Sequence, residues 1–96
     1  MQAEEFAPPG EISFYPNPVN DLGYISFNPS VPAMLEMLVC NPLGQKVMEL
    51  PGAIYQPGQH LISIPVSHLL PGMYILQVRS GKQVRSFKMI RESIHP

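Results

Sequence analysis

The stretch Ser67–Val78, SHLLPGMYILQV, carries the reading of the fold. A leucine enters the interior, Pro71-Gly72 turns the chain, and Tyr74 follows two residues after the glycine. From there the apolar residues alternate. Tyr74, Leu76 and Val78 share one face of a strand, because successive strand residues point to opposite sides. A tyrosine that opens a late strand can hydrogen-bond back to the corner preceding it. A buried phenol needs such a partner to offset its desolvation. The spacing therefore predicts a strand from about residue 73, tied to a crossing between two sheets.

The same pattern extends in both directions. Short apolar bursts occur at about 11–15, 22–28, 34–40, 45–50, 60–66, 73–79 and 82–90. No stretch holds a helical period for three turns. Short strands at this spacing, separated by turn residues, predict an all-β fold, an immunoglobulin-like antiparallel β-sandwich of about seven strands. The turns have their own chemistry. Ser80-Gly81 reads as a two-residue hairpin link between Arg79 and Lys82. In Asn41-Pro42-Leu43-Gly44 the proline suits the first central position, Asn41 caps, and Gly44 takes the left-handed position. Gln56-Pro57-Gly58-Gln59 is a further Pro-Gly turn. Alternation selects a core of Ile25, Phe27, Leu35, Met37, Val39, Ile62, Ile64, Val66, Tyr74, Leu76 and Val78. Met34 and Leu38 are apolar on the other face of the third strand, which predicts burial on both sides or an exposed patch there.

The chain has 96 residues, enough for one core. Residues 1–10, ending in Pro8-Pro9-Gly10, read as a linker, 11–92 as the domain and 93–96 as a tail. A formal net charge of −1 argues against binding nucleic acid through bulk attraction to phosphates. Arg79, Lys82, Arg85, Lys88 and Arg91 nevertheless crowd the last segment, leaving only Lys46 elsewhere. The plain expectation for them is a solvated outer face of the last hairpin. No apolar run reaches the roughly 18 residues of a membrane span, so no direct membrane insertion is expected. The opening MQAEEFAPPG lacks the pattern of a signal peptide.

A catalytic reading needs converging groups, and the sequence offers none. His60 and His68 have no partner at metal-ligand spacing. Ser67 and His68 are strand neighbours facing opposite ways, a poor nucleophile and base. Cys40 stands alone, which excludes an internal disulfide and suits a small buried hydrophobe. Asn17, Asn20 and Asp21 supply only one carboxylate for calcium, and Pro29 removes Asn28-Pro29-Ser30 as a glycosylation site. Tyr15, Tyr24 and Tyr55 lie in three separate segments, which disfavours an aromatic platform for sugars or single strands. The chain is thus expected to be no enzyme and to use no metal or cofactor.

One feature remains awkward: Phe14-Tyr15-Pro16-Asn17-Pro18, in which two strand-favouring aromatics run into two prolines that lack backbone donors. The prolines predict an edge strand that ends here, with Asn17 bonding its local backbone to set the bend. With this motif the chain resembles the C-terminal sorting domains of type IX secretion cargo, type A family, also called the Por secretion system. Tyr15-Pro16-Asn17-Pro18 matches the family's opening aromatic-Pro-Asn-Pro, and Val19-Asn20-Asp21 the small polar stretch after it. Asn41-Pro42-Leu43-Gly44-Gln45-Lys46 follows an apolar strand, with Asn for the usual Asp and the basic residue one place late. Ser67, Leu69, Gly72 and Tyr74 match Ser-x-Leu-x-x-Gly-x-Tyr, and Lys88 with Ile90 the last strand. Pro65 departs from the family's usual Asp or Asn, and the tail 93–96 extends past the usual end.

The resemblance covers about residues 12–92. It implies a delivery signal that targets an upstream cargo domain to the secretion machinery for outer-membrane translocation, leaving the cargo secreted or at the cell surface. The implied partners are a translocon and a sortase-like peptidase that cuts just upstream of Glu11. Lys88, Ile90, Arg85 and Arg79 are the candidate recognition residues. Tyr15, Pro16, Asn17, Pro18, Gly44, Leu69, Gly72 and Tyr74 are expected to be mainly structural. The alternative is a structural or adhesive, carbohydrate-binding accessory module of the same fold.

Overall fold

The computed structural model describes residues 11–92. The expected linker and tail lie outside the described residues. Seven strands follow in order: β1 Glu11–Tyr15, β2 Leu22–Asn28, β3 Ala33–Cys40, β4 Lys46–Tyr55, β5 His60–Pro65, β6 Gly72–Ser80 and β7 Gln83–Arg91. They form two antiparallel sheets, β1-β2-β5 and β4-β3-β6-β7. The expected immunoglobulin-like sandwich is therefore the observed fold. Relative to the seven-strand constant-domain arrangement, the fourth strand sits beside the third instead of beside the fifth.

Every face assigned by alternation is found. Ile25, Phe27, Leu35, Met37, Val39, Ile64, Val66, Tyr74, Leu76 and Val78 are buried, joined by Ile12, Val19, Leu69 and Met89. Ile62, expected with them, is only half-buried and packs against the core, while Ile64 two residues on in the same strand is fully buried. Met34 is exposed and Leu38 half-buried, so the second apolar face of β3 is an exposed patch.

Two details of chain path differ from expectation. The β6–β7 hairpin turns on Gly81-Lys82, one residue later than expected, since Ser80 pairs with Gln83. Gly81 holds φ +61° at the first turn position, where a side chain would be strained. Strand β4 also runs on to Tyr55 instead of ending near residue 50. Leu35 pairs with Ala53 and Met37 with Leu50, so Glu36 faces both Pro51 and Gly52 across a bulge. Pro51 is tolerated because β4 is an edge strand and needs no donor on its outer side. The Pro57-Gly58 turn links β4 to β5, and so crosses between the sheets.

The predicted corner is present. The Tyr74 hydroxyl donates to Leu70 O at 2.5 Å, while Leu69 is buried and Leu70 exposed. Tyr74→Phe is expected to cost about 1 kcal/mol, the net worth of one such bond. Urea unfolding with an unchanged m-value checks this. A loss under about 0.3 kcal/mol would mean that the corner hydroxyl is solvated equally well without Leu70.

Candidate functional site

The last hairpin presents its side chains to two different places. Burial alternates along β7, with Phe87, Met89 and Arg91 on the inward row and Val84, Ser86, Lys88 and Ile90 on the outward one. On β6 the outward row is Met73, Ile75, Gln77 and Arg79. Pairing then sets Ile75 opposite Lys88 and Met73 opposite Ile90. Cys40 pairs with Ile75 on one side and with Lys46 on the other. One row, Lys88–Ile75–Cys40–Lys46, thus crosses all four strands, two cations flanking an apolar centre. Lys46 also donates to Glu49 Oε1 at 2.9 Å, a bond whose attraction raises the pKa of its ammonium.

Of the four candidate recognition residues, Lys88, Ile90 and Arg79 share this outer face. Arg85 does not. It belongs to the inward row, splayed at the hairpin end with its guanidinium 5.8 Å from the Phe87 ring centre. Cys40 is half-buried on the outer face, so the expected buried hydrophobe is only partly covered. A groove of about 120 Å³ opens beside it between Glu36, Leu38, Glu49, Gly52, Gln77 and Arg79. That is well below the roughly 300–1,000 Å³ of small-molecule sites, so this face suits a protein surface better than an enclosed ligand.

Arg91 overturns part of the solvated-face expectation. It is buried, and its guanidinium donates from Nε to Val66 O at 2.8 Å and from Nη2 to Ser67 O at 3.0 Å. Nη1 donates to Glu92 O. The cation binds the crossover between β5 and β6 to the end of β7. Strand parity carried the signal, since residue 91 falls on the row of Met89 and Phe87.

The Tyr15-Pro16-Asn17-Pro18 segment also behaves differently from expectation. Both X-Pro bonds in it are cis. Asn17 does not bond its local backbone. Its carboxamide nitrogen donates to Lys88 O at 2.7 Å, and its oxygen accepts from Ile90 N at 2.9 Å. Val19 continues the contact, donating to Ile90 O and accepting from Glu92 N, both at 2.8 Å. Just before it, Phe14 packs on Phe87 with ring centres 6.3 Å apart. Gly23 makes this possible, because a β-carbon there would lie 2.7 Å from Phe14 Cε1. These contacts close the sandwich between edge strands β1 and β7.

The other motif residues serve the turns and the far edge. Asn41 Oδ1 accepts from Leu43 N at 3.0 Å and Gln45 N at 2.9 Å, and Gly44 sits at φ +85°, as expected for that turn. His60 Nε2–H donates to Gln56 O at 2.7 Å beside Tyr55 and Phe27. Tyr15 and Tyr24, in separate segments of sequence, are register partners with ring centres 6.1 Å apart on the outer face of the smaller sheet. Among the described residues no three His, Cys, Asp or Glu side chains gather as a metal site.

The chain matches the family model described as the secretion system C-terminal sorting domain over residues 13–92. No curated protein matches it.

Proposed function

Since this chain belongs to the secretion system C-terminal sorting domain family, a family of type IX sorting signals without catalytic role, we propose how the signal is read. The domain is recognised as a folded sandwich by the translocon, through the outer face of β3, β6 and β7. Lys88 and Ile90 are the central contacts, with Arg79 farther along the same face near the hairpin end, whereas Arg85 lies on the other row and outside this surface. The cargo upstream passes through the periplasm and across the outer membrane, and a sortase-like peptidase then cuts ahead of Glu11. The domain itself has no enzymatic activity.

The observation that supports this reading most is the row of Lys88, Ile75, Cys40 and Lys46 across four strands. Lys46 is already paired with Glu49. An apolar strip with the Lys88 ammonium at its β7 end is therefore what suits a partner surface carrying carboxylates, since opposite potentials steer encounter and set specificity.

The experiment is export of a periplasmic reporter fused to residues 1–96 in a bacterium with this secretion system. The reporter is expected outside the cell, and its retention in a strain exporting other cargo would sink the reading. Lys88→Ala is expected to reduce export at least threefold. Because Lys88 is exposed, its stability cost should stay within about 0.5 kcal/mol. Undiminished export would remove Lys88 from the recognition surface.

A second reading, a sugar-binding accessory module, draws on the Tyr15–Tyr24 pair, since exposed aromatics stack on sugar faces. Titration calorimetry with soluble oligosaccharides tests it. Lack of heat at millimolar ligand would dismiss it.

A further inference from the structure

We propose that Asn17 is the positioning residue of the signal: it clamps the last strand so that Lys88 and Ile90 are held for recognition. The proposal rests on the sorting reading above.

The chemistry begins with the prolines. Pro16 and Pro18 have no N–H, so the main chain around Asn17 cannot pair as an ordinary strand. A carboxamide carries one carbonyl acceptor and an NH₂ donor, the same groups as a peptide unit. Asn17 supplies both, to Lys88 O at 2.7 Å and from Ile90 N at 2.9 Å. Val19 then resumes pairing through its own backbone, at Ile90 O and Glu92 N. Three edge groups of β7 and the amide of Glu92 just past its end are satisfied in this way by a segment some seventy residues away in sequence.

That location matters. Strand β7 is the last of its sheet and has β6 on one side only. Ends of this kind open locally at little cost unless something ties them down. The clamp covers the residues whose side chains form the candidate recognition surface. It has a second consequence: the outer edge of β7 from Lys88 to Glu92 is already paired, so a partner must read side chains on the face there. Strand addition is closed along that length.

The test combines amide hydrogen exchange with export of the reporter fused to residues 1–96. In Asn17→Ala the Ile90 amide, which loses its acceptor, is expected to exchange at least tenfold faster relative to core amides such as Ile64. Export is expected to fall at least threefold in a still-folded domain. Asn17→Asp keeps an acceptor for Ile90 but turns a carboxylate oxygen toward Lys88 O. It should retain more Ile90 protection than Asn17→Ala and still lose export, and it stands in if Asn17→Ala does not fold. Phe27→Leu, a core change at the side of the sandwich away from Asn17, serves as the control for general destabilisation, with relative Ile90 exchange and export unchanged.

Unchanged Ile90 protection in the Asn17 variants would overturn the clamp. So would export at the original level, or an equal loss of export in Asn17→Ala and Phe27→Leu. Failure of the unaltered fusion to leave the cell would overturn the sorting reading instead, and the role in recognition with it. The exchange experiment would still decide whether Asn17 holds the strand.

Discussion

Arg91→Ala is expected to lower the free energy of unfolding by about 3 kcal/mol, because it removes two charge-assisted tertiary hydrogen bonds of about 1.5–3 kcal/mol each. The substitution also leaves Val66 O with only the bond from Leu69 N and takes the guanidinium donor from Ser67 O at the crossover beneath β7. Part of the loss is offset, because a buried cation is itself costly to desolvate. Against a typical total of about 5–10 kcal/mol for a domain of this size, the remaining stability would be small. The melting temperature should fall by more than about 10 °C. Arg91→Lys, which can reach one carbonyl at a time, is expected to lose about half as much. Urea unfolding of both variants checks this. A loss below about 1 kcal/mol in Arg91→Ala would show that solvent replaces the guanidinium at those carbonyls.

Phe27→Ala carries the other large effect, about 3–5 kcal/mol, as for large-to-small changes at fully buried aromatics. Phe27 is completely buried on β2 and meets the edge of Tyr55 from β4, with ring centres 6.0 Å apart. Its ring therefore spans the two sheets at the side opposite Asn17, and alanine would leave a cavity that the paired strands are too constrained to fill. Phe27→Leu should recover most of the loss. If the sandwich is read folded, the alanine variant should lose export along with stability, whereas Lys88→Ala loses export alone. Efficient export of an unfolded Phe27→Ala variant would contradict recognition of the folded domain.

The contrast between these residues shows what local pattern conveys. Period-two alternation marked Leu35, Met37, Val39, Leu76 and Val78 as core because side-chain direction in a strand is a local property. The corner at Tyr74 was legible for a similar reason, its acceptor lying four residues back at Leu70. Asn41 and Gly44 were readable as a turn within five residues. Arg91 was half legible: its parity pointed inward, but charge suggested solvent, and only the carbonyls of Val66 and Ser67 make burial affordable. Ile62 has the same parity and strand as the fully buried Ile64 yet is only half-buried, because cover depends on where along the strand the other sheet reaches, which alternation does not express.

The candidate surface divides in the same way. That Lys88 and Ile90 share a face follows from their spacing. That Arg79 joins them depends on the β6–β7 register, which the one-residue shift of the hairpin turn did not disturb for side-chain parity on either strand. Arg85 is separated from them by that same parity. Tyr15 and Tyr24 become neighbours through the pairing of β1 with β2, a register that no composition count expresses.

From sequence alone, the fold class, the number of strands, the core faces and the Asn41–Gly44 turn were determined, because each depends on residues within a few positions of one another. The last hairpin turn and the end of β4 were not. The tertiary structure decided the role of Asn17 and Arg91. Their partners lie 71, 73, 25 and 24 residues away, and a polar side chain between prolines or at a strand end is locally compatible with solvent, a turn or a distant carbonyl. For buried Arg91, desolvation selects among these once the sheets have packed. For exposed Asn17, the choice waits until the edge of β7 lies within hydrogen-bond reach.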